Sequence, residues 1–126
     1  MSNPKKVIIA EDSSVIQNIT KKILSVQNFE IKSVKNGQQV LDTLEKGNYD
    51  IILMDINMPI MNGIECTEKI RKMKDPEKSQ IPIIAITGNA MNLSLDEYKA
   101  IGINEFLQKP LNFDELVNIV KKYTTD

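Results

Sequence analysis

Residues 49–63 run Tyr49-Asp50-Ile51-Ile52-Leu53-Met54-Asp55-Ile56-Asn57-Met58-Pro59-Ile60-Met61-Asn62-Gly63. The apolar run Ile51–Met54 is too short for a buried helix and is flanked by turn formers, the pattern of a strand covered on both faces. It ends on one acid, Asp55, followed by a Pro-punctuated loop and a helix start. In α/β sheets, ligands bind outside the carboxyl ends of the strands. Asp55 is therefore the first candidate for chemistry.

Working outward, the same pattern recurs. Val7–Ala10 reads as a second doubly covered strand, stopping at Glu11-Asp12. Ser13 or Asp12 can cap the helix after it, whose Val15, Ile19 and Ile23, with Ile16 and Val26 beside them, predict an inward apolar stripe. Phe29–Val34 suits a short edge strand. Asn36 with Gln39 opens a helix burying Val40, Leu41 and Leu44, which Gly47 ends. Asn62 with Glu65 repeats that cap for a helix expected to run to about Lys74 with Ile64, Ile70 and Met73 inward; Asp75–Gln80 then reads as a charged loop. Ile83–Ile86 predicts a strand ending at Thr87. Ser94 with Glu97 caps a short helix bearing Leu95, Tyr98 and Ile101 and closed by Gly102. Glu105–Leu107 is a short last strand, after which Lys109-Pro110 leads to a helix capped by Asn112 and Glu115. There Phe113, Leu116, Val117 and Val120 fall at helical spacing, and Leu111 is placed to staple against Leu116.

Strand and helix thus alternate five times without linker or repeat, which requires parallel pairing, right-handed crossovers and helices on both faces. The fold class is a three-layer α/β/α sandwich, doubly wound around a five-stranded parallel sheet. Strand order 2-1-3-4-5 is one of the two common choices.

The 126 residues are expected to form a single domain, 1–126. With 16 basic and 17 acidic side chains there is no broad basic field, so nucleic acid is not expected as a direct partner. No apolar run approaches the roughly 20 residues needed to cross a bilayer, so no membrane association is expected. One cysteine, Cys66, and no signal-peptide pattern make a reducing cytoplasm the default. The chain has no histidine, which removes Ser/His and Cys/His catalysis and any internal phosphohistidine.

Glu11, Asp12, Asp55, Thr87 and Lys109 all stand at the C-terminal ends of strands and converge on one rim. Alone, a rim Asp is most often a cap and a Lys a solvated charge; five together at strand ends are not so easily dismissed. Close carboxylates repel by about 1 kcal/mol per pair at 4 Å even in bulk water. A cation must compensate. Hard oxygens in an open, hydrated cluster suit Mg²⁺ better than Ca²⁺, with Mn²⁺ as an alternative. A divalent ion, a hydroxyl and an ammonium aimed at one point stabilise a phosphoryl group in transit, and Asp55 can then act as nucleophile.

Here the residues meet a family. Glu11-Asp12, the run Asp55–Gly63, Ile86-Thr87-Gly88-Asn89-Ala90-Met91 and Lys109-Pro110 together closely resemble response-regulator receiver domains of two-component and phosphorelay signalling. The resemblance implies the flavodoxin-like order 2-1-3-4-5. It implies that Asp55 accepts a phosphoryl group from a phosphohistidine on a sensor histidine kinase or histidine phosphotransfer protein, and that the chain then signals to a downstream effector. Asp12 and Asp55 would bind Mg²⁺ by carboxylate, Asn57 by its backbone carbonyl and Glu11 through a metal-bound water. Thr87 would hydrogen-bond the phosphoryl group and Lys109 pair with it. Gly88 would leave donors room to approach, and Phe106 would turn inward as Thr87 is drawn to the phosphate. Pro59 shapes the loop after the acceptor, Pro110 follows a bond often cis in this family, and Asn57 and Asn89 tune phosphoryl lifetime.

Two positions depart from the family's commoner pattern. Glu11 is one methylene longer than Asp, which should move water around the metal, and Phe106 lacks the hydroxyl of a Tyr. Two other functions compete with this one. A haloacid-dehalogenase-type hydrolase needs a second acid two residues after its nucleophile, where this chain has Asn57. A flavodoxin-like carrier wants a phosphate loop where Glu11-Asp12-Ser13-Ser14 would repel phosphate. The methionines read as core and loop packing, Tyr98 equally as switch-face or packing residue, and Cys66 as a plain thiol. The chain is expected to be either a stand-alone regulator or a receiver from a larger protein such as a hybrid kinase.

Overall fold

The computed structural model describes residues 4–88 and 93–125. Five strands, β1 (Lys6–Ala10), β2 (Glu30–Val34), β3 (Ile51–Asp55), β4 (Ile83–Thr87) and β5 (Glu105–Gln108), form one parallel sheet in the order β2-β1-β3-β4-β5. The connecting helices are α1 (Ser14–Val26), α2 (Gly37–Lys46), α3 (Gly63–Arg71), the one-turn α4 (Pro76–Ser79), α5 (Leu95–Ile101) and α6 (Phe113–Thr124).

Strand alternation explains the layers. Val7 and Ile9 of β1, Ile51 and Leu53 of β3, and Ile84 and Ile86 of β4 pack with Leu24 of α1 and with Leu116 and Val120 of α6. The intervening Ile8, Ala10, Ile52, Met54, Ile83 and Ala85 pack with Val40 and Leu44 of α2, Cys66 and Ile70 of α3, and Tyr98 of α5. A sheet apolar on both faces needs helices on both, each fully buried large side chain contributing about 1.5–3 kcal/mol. Side chains of Asn36, Asn62, Ser94 and Asn112 cap α2, α3, α5 and α6 as expected, and Gly102 closes α5 in the left-handed region. Ser13, not Asp12, caps α1.

Three expectations need correction. On α1, Val15 and Val26 are 69% and 83% exposed and Ile19 is exposed too; the buried residues are Gln17, Thr20 and Leu24. The polar pair goes inside because it finds acceptors there: Thr20 Oγ1 donates to Ile16 O, and Gln17 reaches off the helix. Helix α3 stops at Arg71, short of Lys74. The 75–80 segment is not all loop, since Asp75 caps α4 with Pro76 in its first turn, where a missing N–H costs nothing. Tyr98 is buried and packs on Phe106, ring centroids 5.7 Å apart.

Candidate functional site

The carboxyl ends of β1, β3, β4 and β5 bring four of the predicted groups to one place. Glu11, Asp55 and Thr87 are only 2%, 3% and 3% exposed. Lys109 Nζ donates to Asp55 Oδ2 at 3.1 Å and lies 3.4 Å from Glu11 Oε1, an ion pair without a hydrogen bond. The Glu11 side chain also takes a hydrogen bond from Ser13 N–H on Oε2, at 3.0 Å. Asn57 N–H donates to Asp55 Oδ1 at 3.1 Å, so the acceptor's own loop fixes its rotamer.

The electrostatics follow from this crowding. Burial is the largest influence on Glu11 and raises its pKa; the Ser13 N–H opposes this, Asp55 raises it further and Lys109 lowers it. Burial alone would lower Lys109, but the hydrogen bond and charge of Asp55, then Glu11, outweigh it and hold the ammonium above its usual value. One cation therefore serves two buried acids.

Two buried polar atoms at this rim have no hydrogen-bond partner among the described residues: Glu11 Oε1, which has only its ion pair with Lys109, and Thr87 Oγ1, which has no partner of either kind there. A buried hydroxyl left in this way costs on the order of 1–3 kcal/mol. A carboxylate oxygen fits a cation or its bound water; a hydroxyl fits an anionic oxygen. Asp12 stands exposed with no hydrogen bond or ion pair among the described residues, and no closed cage of three acidic or thiol ligands exists among them. The donors present at this rim are hard carboxylate oxygens, the kind Mg²⁺ takes alongside several waters.

The remaining predicted residues fall around this core. Phe106 is the register partner of Ala85, two residues before Thr87, and is half-buried against Tyr98. A Cβ built on Gly88 meets nothing within 4 Å, so packing among the described residues does not require glycine there. Pro59 O accepts from Met61 N–H at 2.7 Å across Ile60, whose φ of 69° makes a strained, positive-φ γ-turn. The Lys109–Pro110 bond is cis, and Lys109 N–H donates to Thr87 O at 2.8 Å. Asn89, with Ala90 and Met91 of the same motif, lies outside the described residues.

Residues 7–121 match the family model of the response regulator receiver domain. The chain belongs to that family. This receiver domain is 37% identical over 91% of its length to two-component response regulator 24 of Arabidopsis thaliana, of which it covers 81%. It spans only 5 to 19% of the first curated relatives it matches, hybrid histidine kinases and a transcription factor among them. The receiver domain of sensor histidine kinase PA1611 of Pseudomonas aeruginosa superposes with a TM-score of 0.84 at 29% identity, covering 95% of this chain and 97% of that one, and carries a magnesium ion coordinated in its active-site cleft. The receiver domain of Saccharomyces cerevisiae Ssk1, crystallised with the histidine phosphotransfer protein Ypd1, gives 0.80 at 29%, covering 98% of this chain and 91% of that one. No helix among the described residues is long and apolar enough to cross a membrane.

Sequence reasoning missed several contributors. Gln17 ties the Glu11 carbonyl to β2, and its signal was a polar residue three and seven positions from the inward Thr20 and Leu24. Gly63 and Gly37 are required by close backbone approach to Asp55 and Met61, which no local pattern shows. Arg71 gathers four oxygens from segments that meet only in the fold.

Proposed function

We propose that this receiver domain is a phosphoryl-accepting switch in a phosphorelay, with Asp55 as the acceptor. The observation that carries the reading is the trio around one point: a buried carboxylate at Asp55, its ammonium partner Lys109, and the Thr87 hydroxyl, unpartnered among the described residues. One Asp55 oxygen attacks the phosphorus of a phosphohistidine on a histidine kinase or phosphotransfer protein. The new P–O bond forms as the P–N bond breaks, and the imidazole keeps the electron pair. Lys109 pairs with the transferred group's charge and Thr87 Oγ1 donates to one of its oxygens. Asp12, Asp55, the Asn57 carbonyl and, through water, Glu11 would hold Mg²⁺, or Mn²⁺ in its place, which supplies charge neutralisation for the phosphoryl oxygens when bound.

Drawing Thr87 toward a phosphoryl group leaves room for Phe106 to turn inward, so β4, β5 and α5 become the readout for an effector. The protein is then a signalling switch rather than a turnover enzyme, its own rim losing the phosphoryl group to water at a rate tuned by Asn57 and Asn89. Exposed Val15 and Ile19, shortly after Asp12, and Ile60, five residues after Asp55, supply apolar footing for the donor protein beside the acceptor. The buried, unpaired Cys66 supports a reducing cytoplasm as its compartment.

Incubation with acetyl phosphate or phosphoramidate and Mg²⁺ should add one phosphoryl mass, labile to hydroxylamine, and omission of the metal should suppress it. Persistence of the label in Asp55→Asn would overturn the assignment of the acceptor.

A further inference from the structure

The acid pair at the end of β1 is held by a side chain that touches neither metal nor phosphoryl group in the reading above. Gln17 lies buried on α1 and its Nε2 donates twice, to Val34 O at 2.8 Å and to Glu11 O at 3.2 Å. Val34 O also accepts from Glu11 N–H at 3.0 Å. Both backbone groups of Glu11 are thus tied to the last carbonyl of β2, one directly and one through Gln17. The turn is closed from the other side by Ser13 N–H on Glu11 Oε2 and by Gln17 N–H on Ser13 O.

Asp12 makes the difference between a packing device and a positioning one. Its carboxylate has no hydrogen bond or ion pair of its own among the described residues, so only the backbone that carries it limits where it can reach. That backbone is fixed at the Glu11 carbonyl, the atom Gln17 grips. The other buried polar side chain on the same helix face behaves differently: Thr20 donates its hydroxyl to Ile16 O within its own helix. An apolar side chain of similar volume at position 17 would fill the space and leave the Glu11 carbonyl without this partner.

We infer that Gln17 is a positioning residue for divalent-cation uptake, aiming the Glu11-Asp12 pair by clamping its carbonyl to β2. The inference rests on the reading of the rim as a Mg²⁺ site.

Mg²⁺ titrations followed by backbone amide NMR on the wild type, Gln17→Met and Thr20→Val test it, alongside urea unfolding of each. Gln17→Met should weaken Mg²⁺ binding about tenfold, the scale typical of partners that orient metal ligands. Its acetyl phosphate labelling rate at saturating Mg²⁺ should stay within about twofold of wild type, so the loss falls on half-saturation rather than maximal rate. Thr20→Val, whatever its stability, should bind Mg²⁺ as the wild type does. If Gln17→Met lowers the urea midpoint but leaves Mg²⁺ affinity unchanged, Gln17 is structural only and the inference fails. Should Gln17→Met not fold, Gln17→Asn, one methylene too short to span both carbonyls, is held to the same criterion. A wild type whose rim amides ignore Mg²⁺ overturns the metal reading itself, a result distinct from an unaltered variant.

Discussion

Gly63 stands so close behind Asp55 that a Cβ added to it would lie 2.6 Å from the Asp55 carbonyl oxygen and 3.0 Å from Ile56 Cα. Both are backbone atoms and neither can swing away. Gly63 N–H also donates to Ile56 O at 2.9 Å, so the first turn of α3 is seated directly on the acceptor's chain. Gly63→Ala should therefore cost about 1–3 kcal/mol, the usual penalty of overpacking, and should slow acetyl phosphate labelling of the folded fraction by displacing Asp55. Urea unfolding and labelling kinetics measure the two effects separately.

Thr87→Val offers a case where stability and function part company. The Thr87 hydroxyl is buried without a hydrogen-bond partner among the described residues, so replacing it by a methyl of the same shape removes a desolvated polar group and breaks no bond among them. The variant should be as stable as wild type or gain up to about 1 kcal/mol. Its amide spectrum around Phe106 should nonetheless fail to respond to beryllofluoride, where the wild type does. A marked loss of stability would mean that the hydroxyl is satisfied in solution.

Ile60 carries a β-branched side chain at φ 69° while 82% exposed. Asparagine tolerates that backbone better, so Ile60→Asn should gain about 1 kcal/mol in urea unfolding. Labelling by acetyl phosphate should be unaffected. Transfer from a histidine phosphotransfer protein should slow if the exposed isoleucine contributes footing for the donor; equal transfer rates would remove it from the docking surface.

Cys66 gives a pH prediction. Burial is the dominant cause, only partly offset by the Lys69 charge, and it pushes the thiol from 9.0 up to about 12. The folded chain keeps a proton that the unfolded chain releases near pH 9, so this contribution is intact below that pH and erodes as pH climbs toward about 12. Cys66→Ala should flatten that part of the alkaline stability profile. In the native protein at pH 8, alkylation by iodoacetamide should require unfolding, visible as acceleration by urea.

What was legible in the sequence was whatever depends on local periodicity or on strand ends. Runs such as Ile51–Met54 have no polar alternation because both sheet faces are covered, so strands, class and rim followed together. The capping residues Asn36, Asn62, Ser94 and Asn112 announced their helices for the same local reason. The face of α1 was misjudged because Val15, Ile19 and Val26 are as regularly spaced as the stripe that is buried. What places Gln17 inside is a carbonyl 17 residues away, at Val34. The turn of α4 is too short to show a period, and the positive φ of Ile60 follows from the γ-turn around it, not from its side chain.

Arg71 spends all its donors on uncharged oxygens: Gly102 O twice, Ser79 O, Ile81 O and Asn104 Oδ1, at 2.6 to 3.2 Å. Burial lowers its pKa, and no carboxylate pairs with it among the described residues. Electrolyte screens charge against charge and has little hold on a cation wrapped in carbonyls. The Glu11–Lys109–Asp55 cluster, by contrast, is held by opposite charges. Glu11 and Asp55 are nearly buried, so salt reaches their pairing with Lys109 only weakly; what shifts this rim is a change of charge at Asp55 itself, and that leaves the Arg71 end of the molecule as it was. One pole is tunable and the other anchored, which gives any motion begun at Asp55 a fixed end to work against.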